Sequence, residues 1–144
     1  MNNAVKRFSL VKPSLDTPFH IDFNWLKEHD QNWRVYLFSN LCPEHQASFE
    51  DSTNDVQIDW IDPETAEVRT VDGLQQVLIT HCAHQPDFLT NNTSLVDSVF
   101  RALLASGNTP MSARKLSEEI NRPPEIILRT LTGMNYKGIR PFVG

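Results

Sequence analysis

The stretch LSEEINRPPEIILRTL (residues 116–131) decides the C-terminal half of the fold. Apolar residues recur four apart in each half of it, Leu116 with Ile120 and Ile127 with Leu131. That interval places side chains on one face of a helix. The RPP between the halves is a turn signal, because proline cannot continue a helix. The stretch therefore predicts two short helices joined by a tight turn.

The flanking sequence predicts one more helix and an extended tail. Ser94 and Asp97 form an S-x-x-D capping box, and the apolar stripe that follows ends near Gly107, a residue suited to a helix C-terminus. Ser112 is the predicted cap of the next helix, and the third helix is predicted over Glu125 to Thr132. Residues 135–142 are expected to form a short extended ribbon.

Three helices, a tight turn between the last two and a trailing ribbon resemble a winged helix-turn-helix. The resemblance rests on residues 116–131, and the TPMS at 109–112 looks like that superfamily's first short strand and helix cap. It covers residues 94–142 and implies that the third helix lies in the major groove of double-stranded DNA. The DNA-binding residues implied in this way are Arg129, Thr130, Lys137, Arg140, Arg114, Lys115 and Arg122.

The outward face of the third helix leaves a second interpretation open. Arg129 is a typical donor to guanine, but Ile126 and Leu128 offer no hydrogen bonds and Glu125 would repel phosphate. A protein adaptor that uses the same face for protein–protein contacts is therefore the alternative. The sequence also leaves a homodimer open.

Charge is distributed unevenly along the 144 residues, and this favours DNA binding. Residues 1–93 carry six Lys and Arg against fourteen Asp and Glu, whereas residues 94–144 carry seven against four. The acidic part should repel nucleic acid, and only the basic tail could attract it. We therefore expect a small DNA-binding protein that acts as a transcriptional regulator.

The whole chain is expected to be α+β and mostly helical. Residues 1–15 are predicted to be a flexible arm, 16–90 an acidic helical region with one β-hairpin, and 94–144 the winged-helix domain. In the middle part, apolar and polar residues alternate in 56–61 and again in 66–71, around an Asp-Pro turn signal, which predicts the hairpin.

Three further helices are predicted in the N-terminal region. Asp22 and Asp30 are the predicted caps of the first two, and the second is expected to end at Pro43. A helical spacing of apolar residues predicts the third over residues 74–84, and residues 50–55 are expected to form a polar loop.

Cysteine and histidine residues recur in two short motifs, CPEH and HCAH, and suggest a structural zinc site. Four sulfur and nitrogen ligands in a tetrahedral array are typical of such sites. The alternative is that the two cysteines are small buried hydrophobic residues and the histidines are surface groups. The candidate ligands are Cys42, His45, His81, Cys82 and His84.

Other classes of protein are disfavoured by the sequence. The acidic residues Asp55, Asp59, Asp62 and Glu64 are interpreted as the solvated face and turn of the hairpin. Neither a nucleophile elbow, a phosphate-binding loop, a dinucleotide fingerprint nor a zinc-protease motif occurs, so we do not expect an enzyme. No apolar run approaches the ~20 residues of a membrane span, and no secretory signal is recognisable. A soluble cytoplasmic protein without a membrane partner is therefore expected.

Overall fold

The computed structural model describes residues 12–48, 57–89, 93–133 and 136–143. Most of the predicted flexible arm (residues 1–11) and the predicted polar loop at 50–55 lie outside these ranges. Within them, the fold is α+β and mostly helical, with seven α-helices and two antiparallel sheets of two strands each.

The elements follow one another along the chain with short connections. The helices are α1 (Phe23–His29), α2 (Trp33–Ser39), α3 (Pro43–Ser48), α4 (Gly73–Thr80), α5 (Leu95–Ala105), α6 (Ala113–Ile120) and α7 (Pro124–Gly133). The strands are β1 (Phe19–Ile21), β2 (Gln57–Ile61), β3 (Val68–Asp72) and β4 (Ile139–Pro141). Two 3-10 turns occupy Cys82–His84 and Tyr136–Gly138.

The three C-terminal helices form as predicted. Ser94 Oγ accepts a hydrogen bond from the Asp97 backbone N–H at 3.2 Å, and Ser112 caps α6 in the same way. Gly107 has a φ of 72°, a left-handed conformation that ends a helix readily only at glycine or asparagine. Ile127 and Leu131 are buried, which confirms the inward face of α7.

The predicted ribbon at 135–142 is shorter than expected, and its partner comes from the other end of the chain. Among the described residues of this segment (136–142), only 139–141 form a strand, and they pair antiparallel with β1. Phe19 in β1 also bridges to Met111, so β1 lies between two segments of the C-terminal half. Phe19 is 0% exposed and Ile21 1%. No sequence signal marked this three-residue strand, since its burial depends on a partner about 120 residues away.

One hydrophobic core serves both halves of the chain. The buried apolar residues within the described ranges form a single cluster that extends from Phe19 in β1 to Ile139 in β4. The largest fully buried side chains are Phe19, Phe100, Ile21, Leu26, Leu37, Leu74, Leu78, Leu103, Leu104, Leu116, Ile127 and Ile139. The predicted N-terminal region and the predicted winged-helix region are thus packed directly against each other.

Two helix boundaries in the N-terminal region differ from the prediction. Asp22 caps α1 as expected, but α2 begins after Asn32, and Asp30 Oδ1 accepts from the Asn32 N–H instead of capping the helix. The second helix ends at Ser39, and Pro43 begins α3 instead of ending α2. Proline is well tolerated at the first position of a helix, where its missing N–H has no intrahelical partner to lose.

The hairpin forms as predicted, and the helix after it is interrupted. Strands β2 and β3 pair antiparallel, and the Asp62 carboxylate accepts from the Glu64 N–H at 2.8 Å in the turn. The helix expected over 74–84 stops at Thr80, because His81 departs from helical geometry at φ −124° and ψ −60°. The chain resumes as a 3-10 turn that begins at Cys82, which stays 0% exposed.

Candidate functional site

The outward surface of α7 is the first candidate site, and we call it the α7 face: Glu125, Ile126, Arg129 and Thr132, all exposed. The tight turn between α6 and α7 determines which side of α7 is exposed. The Asn121 backbone is left-handed, with a φ of 57°, and Ser117 Oγ donates to the Arg122 carbonyl at 2.6 Å. Because α6 and α7 each bury one side, the opposite side of α7 is left open to solvent.

Two residues of the predicted DNA-reading surface are less available than the sequence suggested. Leu128 is half-buried and packs against the core, so it does not belong to the exposed face. The hydroxyl of Thr130 donates to the Ile126 carbonyl at 2.9 Å, and the residue is half-buried. Two of the predicted DNA-binding residues, Arg129 and Thr130, lie on α7, and of these two only Arg129 is exposed to a ligand.

The other predicted DNA-binding cations are held by partners within the protein. Arg114 Nε lies 2.9 Å from Asp16 Oδ1, Lys137 Nζ 3.8 Å from Asp30 Oδ2, and Arg140 Nη1 3.5 Å from Asp22 Oδ2. We call these three the rim ion pairs. Each joins a cation of the C-terminal half to an acid of the N-terminal half.

Lys115 is held within its own helix, Arg122 is held by a backbone carbonyl 29 residues away, and Arg129 is not held by an acid. Lys115 Nζ lies 3.6 Å from a Glu118 oxygen and 3.5 Å from a Glu119 oxygen, both on its own helix. Arg122 Nη2 donates to the Thr93 carbonyl at 3.3 Å. Among the described residues, no acidic group pairs with Arg129. Sequence reasoning missed the rim ion pairs because their partners are distant, as with Asp16 and Arg114, which are 98 positions apart. The three- and four-residue spacing of Lys115 from its partners was a local signal that could have revealed them.

Polar contacts beneath the surface also join the N-terminal half of the chain to the C-terminal half. The Tyr36 hydroxyl donates to Asp97 Oδ1 at 2.5 Å, and Arg101 Nε donates to Asn40 Oδ1 at 2.9 Å. Burial and the hydrogen bond to Asp97 raise the pKa of Tyr36 well above its usual range. Asp97 was predicted to cap α5 with its side chain, but its carboxylate is engaged by Tyr36.

The second candidate site is a half-buried group of cysteine and histidine side chains. Cys42 immediately precedes α3, and His45 lies in its first turn. Cys42 Sγ is 3.2 Å from His45 Nδ1, and Cys82 Sγ is 3.5 Å from Cys42 Sγ and 3.7 Å from His45 Nδ1. The rings of His45 and His81 meet edge to face at 4.5 Å.

These contacts bring together four of the five predicted metal ligands. Ligand atoms of Cys42, His45 and His81 all lie within 4.8 Å of one another, close enough for one metal ion to contact all three. We call Cys42, His45, His81 and Cys82 the Cys–His cluster. His84 is exposed and does not belong to the close group formed by the described residues. The interruption at His81 explains why, since it turns the chain away from one continuous helical face.

Burial sets the electrostatics of the cluster. Desolvation, with the neighbouring Cys42 as a smaller cause, raises the pKa of the Cys82 thiol to about 11. Without a metal ion, Cys82 is therefore a neutral thiol at neutral pH, and a metal ligand must instead be deprotonated.

None of the described helices has the length and apolar character needed to cross a membrane. Comparisons of the chain with family models, with curated proteins and with solved structures found no match.

Proposed function

We propose that this protein binds double-stranded DNA through α6 and α7 and serves as a small transcriptional regulator. One observation carries the proposal: Arg129 is exposed on the outer side of the second of two helices joined by a tight turn. In helix-turn-helix proteins, the second helix lies in the major groove with its exposed side chains at the base edges.

The packing of α7 supports this role for Arg129. Its buried residues Ile127 and Leu131 hold the helix against the core, so its position does not depend on the ligand. An arginine held in this way can offer two parallel N–H donors to guanine O6 and N7. Glu125, one turn before Arg129, disfavours close approach of phosphate at that end of the helix.

The number of cations that can contact DNA phosphates depends on which of them are already paired with an acid of the protein. Arg129 and Arg122 are free of acidic partners in the described structure, whereas the rim ion pairs hold three further cations. Each cation that neutralises a phosphate adds about −0.9 to the slope of log affinity against log salt. Two cations give a slope of about −2, and all six predicted cations would give about −5.

Arg129→Ala tests the proposal. A binding site is first selected from a random duplex pool, and affinity for it is then measured by fluorescence anisotropy at several salt concentrations. Loss of a bidentate base contact should weaken binding by about 1–3 kcal/mol, or about 5- to 150-fold. The thermal unfolding midpoint should hardly change, because exposed substitutions seldom cost more than about 0.5 kcal/mol.

Lys27→Ala on α1 is the matched control, since it removes one positive charge from the N-terminal half. It should leave the affinity for the selected site within about twofold of the wild type, as a general charge effect is largely screened at physiological salt. Failure of the folded wild type to bind any duplex at low salt would contradict the proposal. Equal affinities of Arg129→Ala and wild type would exclude α7 as the reading helix.

The second candidate is the adaptor, and the exposure of Ile126 favours it. This side chain is 44% exposed in the middle of the α7 face, where an apolar contact with a protein would bury it. The same anisotropy measurement separates the two candidates. A folded protein that shows no duplex binding at any salt concentration leaves the α7 face to a protein partner.

A further inference from the structure

The Cys–His cluster lies where two distant stretches of chain meet, away from the α7 face. Cys42 and His45 come from the start of α3, and His81 and Cys82 come from the break after α4. The cysteines are 40 positions apart, yet their sulfurs are 3.5 Å apart. A bond between a side chain of the first stretch and a side chain of the second therefore joins the start of α3 to the end of α4.

The three short distances in the cluster resemble the edges of a tetrahedron around a metal ion. For Zn–S near 2.3 Å and Zn–N near 2.05 Å, tetrahedral geometry separates two sulfurs by about 3.8 Å and a sulfur from a nitrogen by about 3.6 Å. The corresponding distances here are 3.5 Å between the sulfurs, and 3.2 and 3.7 Å from them to His45 Nδ1. A small adjustment of side chains would place one ion within bonding distance of all three atoms.

The alternative interpretation, in which the cysteines are small buried hydrophobic residues and the histidines are surface groups, accounts for the position of Cys82 but not for the rest of the cluster. Cys82 is 0% exposed and belongs to the core. Cys42 and His45 are only half-buried, and His45 turns Nδ1 toward both sulfurs instead of toward solvent. A disulfide does not describe the arrangement either, because its sulfurs would be about 2.05 Å apart.

The shortness and exposure of helix α3 give an independent reason to expect a stabilising bond at this position. It has six residues, and none of these described residues is buried. An isolated helix shorter than about 12 residues is marginal in water, so it needs tertiary contacts that α3 does not obtain from apolar packing. Ligands at its start would hold it to the core.

We propose that the Cys–His cluster binds one Zn²⁺ ion as a structural site, with Cys42, His45 and Cys82 as three ligands and His81 as the fourth. Two thiolates and two imidazoles form one of the common closed ligand sets of structural zinc. A closed set leaves no position for a substrate, so the ion stabilises the fold and does not catalyse. The proposal does not depend on DNA binding.

Metal content and ligand identity can be measured on the intact protein. Protein purified without chelator should contain about one zinc per chain by elemental mass spectrometry, as a closed site holds a single ion. Replacement of zinc by Co²⁺ should give the visible absorption of tetrahedral cobalt and a near-ultraviolet thiolate-to-cobalt charge-transfer band. Cys42→Ser should weaken that charge-transfer band, and His45→Gln should lower the metal content while keeping both thiols.

His84→Gln is the matched control, because it removes a nearby exposed imidazole that lies outside the cluster. It should retain wild-type zinc content and the wild-type cobalt spectrum. Should a variant fail to fold, the cobalt spectrum of the wild type still tests the ligand set. Metal-free wild type that gives no tetrahedral cobalt spectrum overturns the proposal, as does a disulfide between the two cysteines in freshly purified protein. Full zinc content in His45→Gln overturns it too.

Discussion

The N-terminal and C-terminal halves of the chain meet in two regions that use different interactions. In the interior of the junction, Phe19 and Ile21 of β1 are buried between β4 and the segment at Met111. At its rim, the three rim ion pairs join exposed or half-exposed side chains, such as Arg114 and Asp16 with 58% and 74% of their side chains exposed.

The difference lies in what each region contributes. Burial of apolar area stabilises a fold strongly, whereas an exposed ion pair contributes about 0–1 kcal/mol. The interior therefore fixes how the halves pack. The rim contributes little to stability, but it places an acid beside three of the cations predicted to contact an anionic partner.

The largest effect is expected in the interior, for Phe19→Ala. Truncation of a fully buried phenylalanine typically costs about 3–5 kcal/mol, through lost transfer free energy and the cavity left behind. Val68→Ala in β3 is the control, because this strand residue is 62% exposed and should cost less than about 1 kcal/mol. Urea unfolding measures both variants. A loss for Phe19→Ala no larger than that for Val68→Ala would mean that burial of this side chain does not hold the halves together.

A smaller loss is expected for Tyr36→Phe. The variant removes the hydroxyl that donates to Asp97 and leaves that half-buried carboxylate without this partner, at a cost of about 1–3 kcal/mol. Ser39→Ala, which removes an exposed hydroxyl at the end of α2, should cost less than about 0.5 kcal/mol. Equal unfolding free energies for the two variants would show that the Asp97 contact is as weak as a surface one.

Tyr36 also predicts how the free energy of unfolding depends on pH. The pKa of Tyr36 is raised in the folded state from its usual value of 10.0, so folding favours the protonated phenol. Its contribution is therefore complete below pH 10 and is lost as the pH rises further. Wild type should lose more unfolding free energy between pH 9 and pH 11 than Tyr36→Phe does. Parallel pH profiles would contradict this.

Local signals allowed much of the C-terminal half to be predicted. Caps at Ser94 and Ser112, the left-handed Gly107 and the four-residue spacing in α7 all act within one or two turns of helix, and each forms as expected. The same holds for the β2–β3 hairpin, whose alternating pattern and Asp62 turn are contained within 16 residues or so.

Contacts between distant parts of the chain could not be predicted. The burial of β1 and the rim ion pairs depend on partners far away in sequence, and neither carries a local pattern. At the Cys–His cluster, the motifs gave the residue types, but they did not show that the helix breaks at His81, that Cys82 contacts Cys42 and His45, or that His84 lies outside the group. The basic balance of the tail was correct as a count, yet it did not reveal the acids that lie beside those cations.

A small change in stability for each substitution, but an informative one for function, is expected from neutralising the rim acids. Conversion of Asp16, Asp22 and Asp30 to Asn removes three negative charges and keeps the cap of α1 at position 22, because asparagine caps helices as well as aspartate does. Each change should cost no more than about 1 kcal/mol of unfolding free energy. If Arg114, Lys137 and Arg140 are then free to contact phosphates, affinity for duplex DNA should rise and the salt slope should steepen by up to about 2.7.

A triple variant of the hairpin separates this effect from a change in net charge. Asp59→Asn, Glu64→Gln and Glu67→Gln alter the charge by the same amount at exposed positions outside the rim ion pairs. Because long-range charge effects are screened beyond about 8 Å at physiological salt, this variant should keep the wild-type slope unless the hairpin itself adjoins the DNA. A steeper slope in the rim variant alone would show that the N-terminal acids limit how many cations reach the DNA. Wild-type slopes in both variants would show that the rim pairs leave DNA binding to Arg129 and Arg122, and equally steepened slopes would show a general charge effect.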